Sequence, residues 1–129
     1  MPQIVALSDS FRIATKLGLD PLTLNRAFDV GTARNFTVAE VAEKHVFGEQ
    51  FRTFYQLNLL VKDLGINKDM FEREGGDLDT QLPQYVHKVL QDSLPLASKK
   101  NADHSEFYKI QADQAGITYP RYSKDQINQ

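Results

Sequence analysis

Apolar residues recur at steps of three and four along nearly the whole chain, and this spacing predicts helices from end to end. Ile4, Leu7, Phe11, Ala14 and Leu17 form the first stripe, and Gly18 stands at its C-terminal cap position. Asp20-Pro21 supplies an N-cap and a first-turn proline for a second helix, with Leu22, Leu24, Ala27 and Phe28 inward and Gly31 at its end. Thr37-Val38-Ala39-Glu40 reads as a capping box opening a short third helix that buries Val38, Val41 and Ala42 and stops at Gly48. A fourth helix is expected from about Tyr55 to Arg73, with Leu57, Leu60, Val61, Leu64 and Met70 on its apolar side. Gly65 inside it costs roughly 1 kcal/mol against Ala and is explained if another helix passes close by.

Gly75-Gly76-Asp77 reads as a loop. Leu82-Pro83 opens a fifth helix carrying Val86, Val89, Leu90 and Leu94, which Pro95 ends or kinks. Asp103-His104-Ser105-Glu106 is a capping-box-like start with Asp as the cap. The sixth helix after it carries Phe107, Tyr108, Ile110, Ala112 and Ala115 over a wide arc. No strand pattern persists. The fold class is therefore all-α, with about six helices over residues 1–116 and a polar tail over 117–129 that is loose or ordered only by a partner.

Composition narrows the function. A chain of 129 residues suits one domain with a real core, and 41% hydrophobic with 25% charged residues is an ordinary globular profile. A formal net charge of -2, with Arg12, Lys16, Lys62, Lys99 and Lys100 scattered among acids, lacks the basic stripe of a nucleic-acid binder. The N-terminus has no basic leader and no apolar run reaches the ~20 residues that span a bilayer, so a cytoplasmic protein is expected. There is no Cys, which excludes disulfides and thiolate metal sites. His45, His87 and His104 lack ligand spacing, so no metal is expected and each reads as a surface or capping residue. No phosphate-cradling glycine motif is present, Glu72 and Glu74 do not share a helix face, and no Ser pairs with a His and an acid, so no catalytic residue is assigned.

Lys62-Asp63 is the exception. A Lys on an apolar helix pattern must reach water, pair with an acid, or point at an anionic ligand. The run from Tyr55 to Lys62-Asp63-Leu64 resembles the signature helix of the β-hydroxyacid dehydrogenases, which include 3-hydroxyisobutyrate dehydrogenase, tartronate semialdehyde reductase and, more distantly, 6-phosphogluconate dehydrogenase. Three further motifs follow in order. Gly18-Leu19-Asp20-Pro21 is similar to the family's exit from its long interdomain helix, Leu82-Pro83 to its Leu-Pro, and Asp103-His104-Ser105 to its closing D-x-S element. Tyr55 stands where the family has an aromatic, usually Phe, and Asp9 where it usually has Glu. The resemblance runs from about Ala6 to Ile110.

The resemblance implies a 6-phosphogluconate dehydrogenase C-terminal domain-like bundle. In the family a Rossmann domain precedes it and holds NAD or NADP, and the catalytic Lys and Asn lie early in the linking helix. Those positions would fall before Met1. The resemblance thus assigns Lys62 to cofactor binding and Tyr55 and Asp63 to the substrate cleft of a dehydrogenase acting on 3-hydroxy acids. It implies a missing Rossmann partner, dimerisation through helix packing, and neither bound cofactor nor turnover for this chain alone. The alternative is a stand-alone all-α homodimeric interaction module.

Overall fold

A computed structural model describes residues 2–74 and 81–127. The expected Gly75-Gly76-Asp77 loop lies outside the described residues. Six α-helices, α1 (Pro2–Lys16), α2 (Pro21–Asp29), α3 (Leu57–Glu74), α4 (Leu82–Ser93), α5 (Glu106–Gln114) and α6 (Lys124–Ile127), are joined by a π-helix (Thr37–Phe47) between α2 and α3 and a 3-10 turn (Leu94–Leu96) after α4. The described residues contain no strand, only one antiparallel bridge between Gln56 and Asp103. The fold is the all-α bundle that the periodicity predicts.

Four members of the first stripe, Ile4, Leu7, Phe11 and Ala14, are buried, but Leu17 is exposed, because α1 stops at Lys16 and the chain turns away before it. Gly18 adopts φ 78°, the left-handed conformation that a residue without Cβ reaches at no steric cost. Asp20 caps α2 by accepting from the Thr23 amide at 2.8 Å, and Pro21 opens the helix. Ala27 turns outward, whereas Asn25 is buried and donates through Nδ2 to the Val38 carbonyl at 3.1 Å. A polar residue thus takes a core place that periodicity gave to an apolar one, because it ties α2 to the start of the π-helix.

The third helix departs from expectation in two respects. Its cap is Asn35, whose Oδ1 accepts from the amides of Thr37 at 2.9 Å and Val38 at 3.2 Å. The Thr37-to-Glu40 capping box is not made. The turns are also wide, ending in a bond from the Gly48 amide to the Glu43 carbonyl, five residues back, at 2.8 Å. A Cβ on Gly48 would sit 2.5 Å from the Lys44 carbonyl oxygen, a backbone atom that cannot swing away. Gly48→Ala is expected to cost about 2 kcal/mol of stability, read as a lower urea midpoint at unchanged slope.

α3 runs unbroken through Gly65, where α4 passes beside it and leaves little room for a side chain. A Cβ there would lie 3.2 Å from Nε2 of His87. Leu57, Leu60 and Val61 are buried, but Met70 is exposed, since α3 outruns the core before its last turns. α4 ends at Ser93, just before the turn containing Pro95. The wide apolar arc of α5 reflects a helix enclosed on several sides: Phe107, Tyr108, Ile110, Gln111 and Ala112 are buried, while Lys109, Asp113 and Gln114 face out and Ala115, just past the helix end, is exposed.

Residues 117–127 are not loose but pack back onto the bundle. Tyr119 packs edge-on against Phe47 and Phe11, with ring centroids 5.7 and 6.5 Å apart, and Tyr122 lies 5.6 Å from Phe47. The Tyr122 hydroxyl also donates to Asp20, and Ile127 is buried. Two tyrosines at a spacing of three cover the aromatic core from outside.

Candidate functional site

The site grows from a loop, residues 48–56, that leads from the π-helix into α3. Its backbone is strained: Glu49, Phe51 and Phe54 have φ of 52°, 45° and 61°, a region that side chains with a Cβ rarely enter. Phe54 holds its ring 95% exposed. Contacts from elsewhere in the fold hold the loop in this shape. Asp103 accepts from the Thr53 amide at 2.7 Å and the Thr53 hydroxyl at 2.8 Å, and from the Ser105 amide and hydroxyl at 3.0 and 2.6 Å. The Leu57 amide donates to the Ala102 carbonyl at 2.8 Å and the His104 amide to the Tyr55 carbonyl at 2.9 Å, which clamps the loop's exit.

Burial alone would raise the Asp103 carboxyl. The hydrogen bonds from Ser105 and Thr53 outweigh it and hold the group below the ordinary carboxylate range. His104 is buried, not a surface residue as its isolation in the sequence suggests. Its Nδ1 lies 2.7 Å from the Thr53 hydroxyl and 3.3 Å from the Tyr55 carbonyl. A carbonyl only accepts, and the Thr53 proton is directed at Asp103, so this pattern assigns the ring proton to Nδ1 of a neutral imidazole. Burial pushes the His104 pKa below its ordinary value of 6.5, against the pull of Asp103 and the Tyr55 carbonyl.

This shift links folding to pH. In the unfolded chain His104 takes up a proton below about pH 6.5, and in the folded chain it resists. Its contribution to stability is complete above pH 6.5 and falls away as pH drops from there through the folded pKa. Urea midpoints are expected to decline between pH 7.5 and pH 5, and His104→Asn is expected to flatten that decline.

From this anchor Tyr55 is presented to α3. Its ring stands edge-on to His104 at 5.8 Å, and its hydroxyl donates to Oδ2 of Asp63 at 2.5 Å. That hydrogen bond raises the Tyr55 phenol to about 12. The other carboxylate oxygen of Asp63 lies 3.7 Å from Nζ of Lys62, whose side chain is 65% exposed. Lys62 therefore does not sit in the apolar layer; it reaches water beside an acid that is itself engaged by Tyr55. Tyr55 is placed in the loop just before α3, not on the helix. The structure nevertheless brings together the three residues named from the sequence. Thr53, Asp103 and His104 join them, and no local signal links residues so far apart in the chain.

Leu59, Lys62, Asp63, Ile66 and Met70 recur at helical spacing on the outer side of α3, and all are exposed. Among the described residues no three acids or histidines gather as a metal set. No helix of the described residues is long and apolar enough to cross a membrane. With no strand among those residues there is also no strand-turn-helix to cradle a dinucleotide pyrophosphate. The outward Lys62 ammonium on this partly apolar helix face offers one positive charge to an anion approaching from solvent.

The family model described as the NAD-binding domain of NADP-dependent 3-hydroxyisobutyrate dehydrogenase matches residues 2–111. The chain belongs to this family. Its members are hydroxyacid dehydrogenases, oxidoreductases that use NAD(P), and the 3-hydroxyisobutyrate dehydrogenase-like match encompasses the Tyr55–Asp63–Lys62 group and its Asp103 anchor alike. No curated protein matches the chain.

Proposed function

We propose that this chain is the C-terminal helical domain of an NAD(P)-dependent 3-hydroxyacid dehydrogenase. It supplies one wall of the cofactor and substrate cleft and takes part in dimerisation. The observation that carries the reading is the outer face of α3, where Lys62 and Asp63 lie among exposed Leu59, Ile66 and Met70. A helix whose solvent side is this apolar has a surface suited to being covered. A flexible ammonium within it suits a phosphate or carboxylate approaching from the covering domain. Bound NAD(P) supplies the hydride-exchanging ring. Lys62 contributes positive charge at the cleft wall, Asp63 and Tyr55 hold one another there, and the apolar neighbours exclude water when the cleft closes.

The general base and the dinucleotide cradle belong, in this reading, to a Rossmann domain outside this chain. In this reading the chain is inactive alone, and the two halves work together in the cytoplasm. The test pairs a dehydrogenase assay with addition of a separately made Rossmann domain of the family. No turnover alone, and turnover on mixing that Lys62→Ala lowers at least tenfold, is the expected result. Turnover with any 3-hydroxy acid by the chain alone would overturn it.

A second reading, a stand-alone homodimeric module without activity, draws on Ile13, Leu17 and Leu19, which are exposed around the end of α1. Sedimentation equilibrium decides this point: a dimer that Leu17→Asp dissociates favours self-association through that surface.

A further inference from the structure

Asp103 sits in the D-x-S element just before α5, and its two hydrogen bonds from Thr53, backed by two from Ser105, make it the anchor of the loop that carries Tyr55. Tyr55 in turn occupies Oδ2 of Asp63, leaving only the longer 3.7 Å approach between Oδ1 and the Lys62 ammonium. An Asp63 freed from Tyr55 would be able to close its 3.7 Å approach to Lys62 to hydrogen-bonding distance and compete more strongly with an external anion. The loop does not hold this shape by intrinsic preference, because two phenylalanines in it, Phe51 and Phe54, occupy left-handed backbone conformations. Something outside the loop must impose them, and the Thr53 bonds to Asp103 are in the right place to do so.

We infer that Asp103, acting through Thr53, is a positioning residue that sets Tyr55 against Asp63 and so keeps the Lys62 ammonium available to an external anion. The inference rests on the reading of the α3 face as a cleft wall, and it gives the D-x-S element a task distinct from touching ligand. Ser105 belongs to the same device. Its amide and hydroxyl both donate to Oδ1 of Asp103, the oxygen that the Thr53 hydroxyl also meets, and so orient the carboxylate towards Thr53. His104 backs it from the other side, with its ring edge-on to Tyr55 and its amide on the Tyr55 carbonyl.

The experiment uses the whole chain and two variants, Asp103→Asn and the milder Thr53→Val, which keeps the Thr53 amide bond and serves if the first does not fold. Two readouts follow Tyr55. At about pH 11 a phenol of pKa about 12 is roughly one-tenth ionised, and one of pKa about 10 roughly nine-tenths, which phenolate absorbance resolves against a Tyr55→Phe control. At neutral pH the nuclear Overhauser contact between the Tyr55 and His104 rings reports the same placement. Both variants are expected to raise the ionised fraction and to lose the ring contact. A third readout titrates inorganic pyrophosphate and follows the Lys62 side-chain resonances. The two variants and Tyr55→Phe are expected to weaken that response at least threefold. Adding Asp63→Asn is expected to abolish the difference between the parent chain and Tyr55→Phe. If both variants fold, lose thermal stability and still keep Tyr55 on Asp63, Asp103 is only a structural staple and the inference fails. If the variants release Tyr55 but Lys62 shows no response to pyrophosphate even in the parent chain, the cleft-wall reading fails while the placement of Tyr55 by Asp103 stands.

Discussion

Phe11→Ala is expected to lower the free energy of unfolding by about 4 kcal/mol, the middle of the range for removing a buried aromatic ring. Phe11 is 0% exposed. Its ring lies 4.8 Å from that of Phe47, 6.0 Å from Tyr108 and 6.5 Å from Tyr119. It is thus the joint between α1, the π-helix, α5 and the C-terminal segment. Truncation leaves a cavity with walls on four elements that cannot all close in at once. Urea denaturation is the measurement, and Phe11→Leu, which refills most of the volume, is expected to recover at least half of the loss. A loss below about 1 kcal/mol for the Ala variant would mean that the aromatic cluster is not the centre of the core.

Asp103→Ala is expected to cost about 3 kcal/mol for a different reason. The site loses a charged acceptor rather than volume. The amide and hydroxyl of Ser105, a fully buried residue, and those of Thr53 are left facing a methyl group. Part of the penalty is the strain of the 48–56 loop, which no longer has a force holding it. The loss is expected to be smaller for Asp103→Asn, whose remaining carbonyl oxygen still accepts. Because the carboxyl is held below its ordinary pKa of 3.8, the advantage of wild type over Asp103→Asn is fully present above that pH and shrinks as pH falls through the folded value. Paired denaturation curves at pH 7 and pH 3 check the sign. An unchanged difference at the lower pH would deny the carboxylate its role.

Sequence periodicity carried the helices well where the signal was local. The α1 stripe, the left-handed Gly18, the Asp20 cap and the Gly65 approach to His87 depend on residues close in sequence or on one glycine's missing Cβ. It failed where geometry rather than spacing decided. Val38, Val41, Ala42 and Val46 fall inward on a π-helix about as they would on an α-helix over so few turns, so the wide turns left no mark in the pattern. The competition between Asn35 and Thr37 for the capping role was settled by which side chain reached the free amides. The Tyr119 and Tyr122 contacts were hidden by the polar residues around them, although two aromatics in a polar tail were a signal of their own.

The site divides in the same way. Tyr55, Lys62 and Asp63 were legible through a motif, because they are close in sequence. The anchor was not. Asp103 read as a helix cap, and it does turn its carboxylate onto Ser105, but its grip on Thr53 spans fifty positions of chain and only the folded molecule reveals it.

The strained loop has a consequence for any attempt to make this protein more heat-tolerant. Glycine at position 51 or 54 would relax a backbone that costs of order 1 kcal/mol or more at each residue. Such changes would be early winners in a screen scored on survival at high temperature. They would also give Tyr55 freedom to wander, so a screen scored on survival alone would harden the domain while loosening the hold of Tyr55 on Asp63.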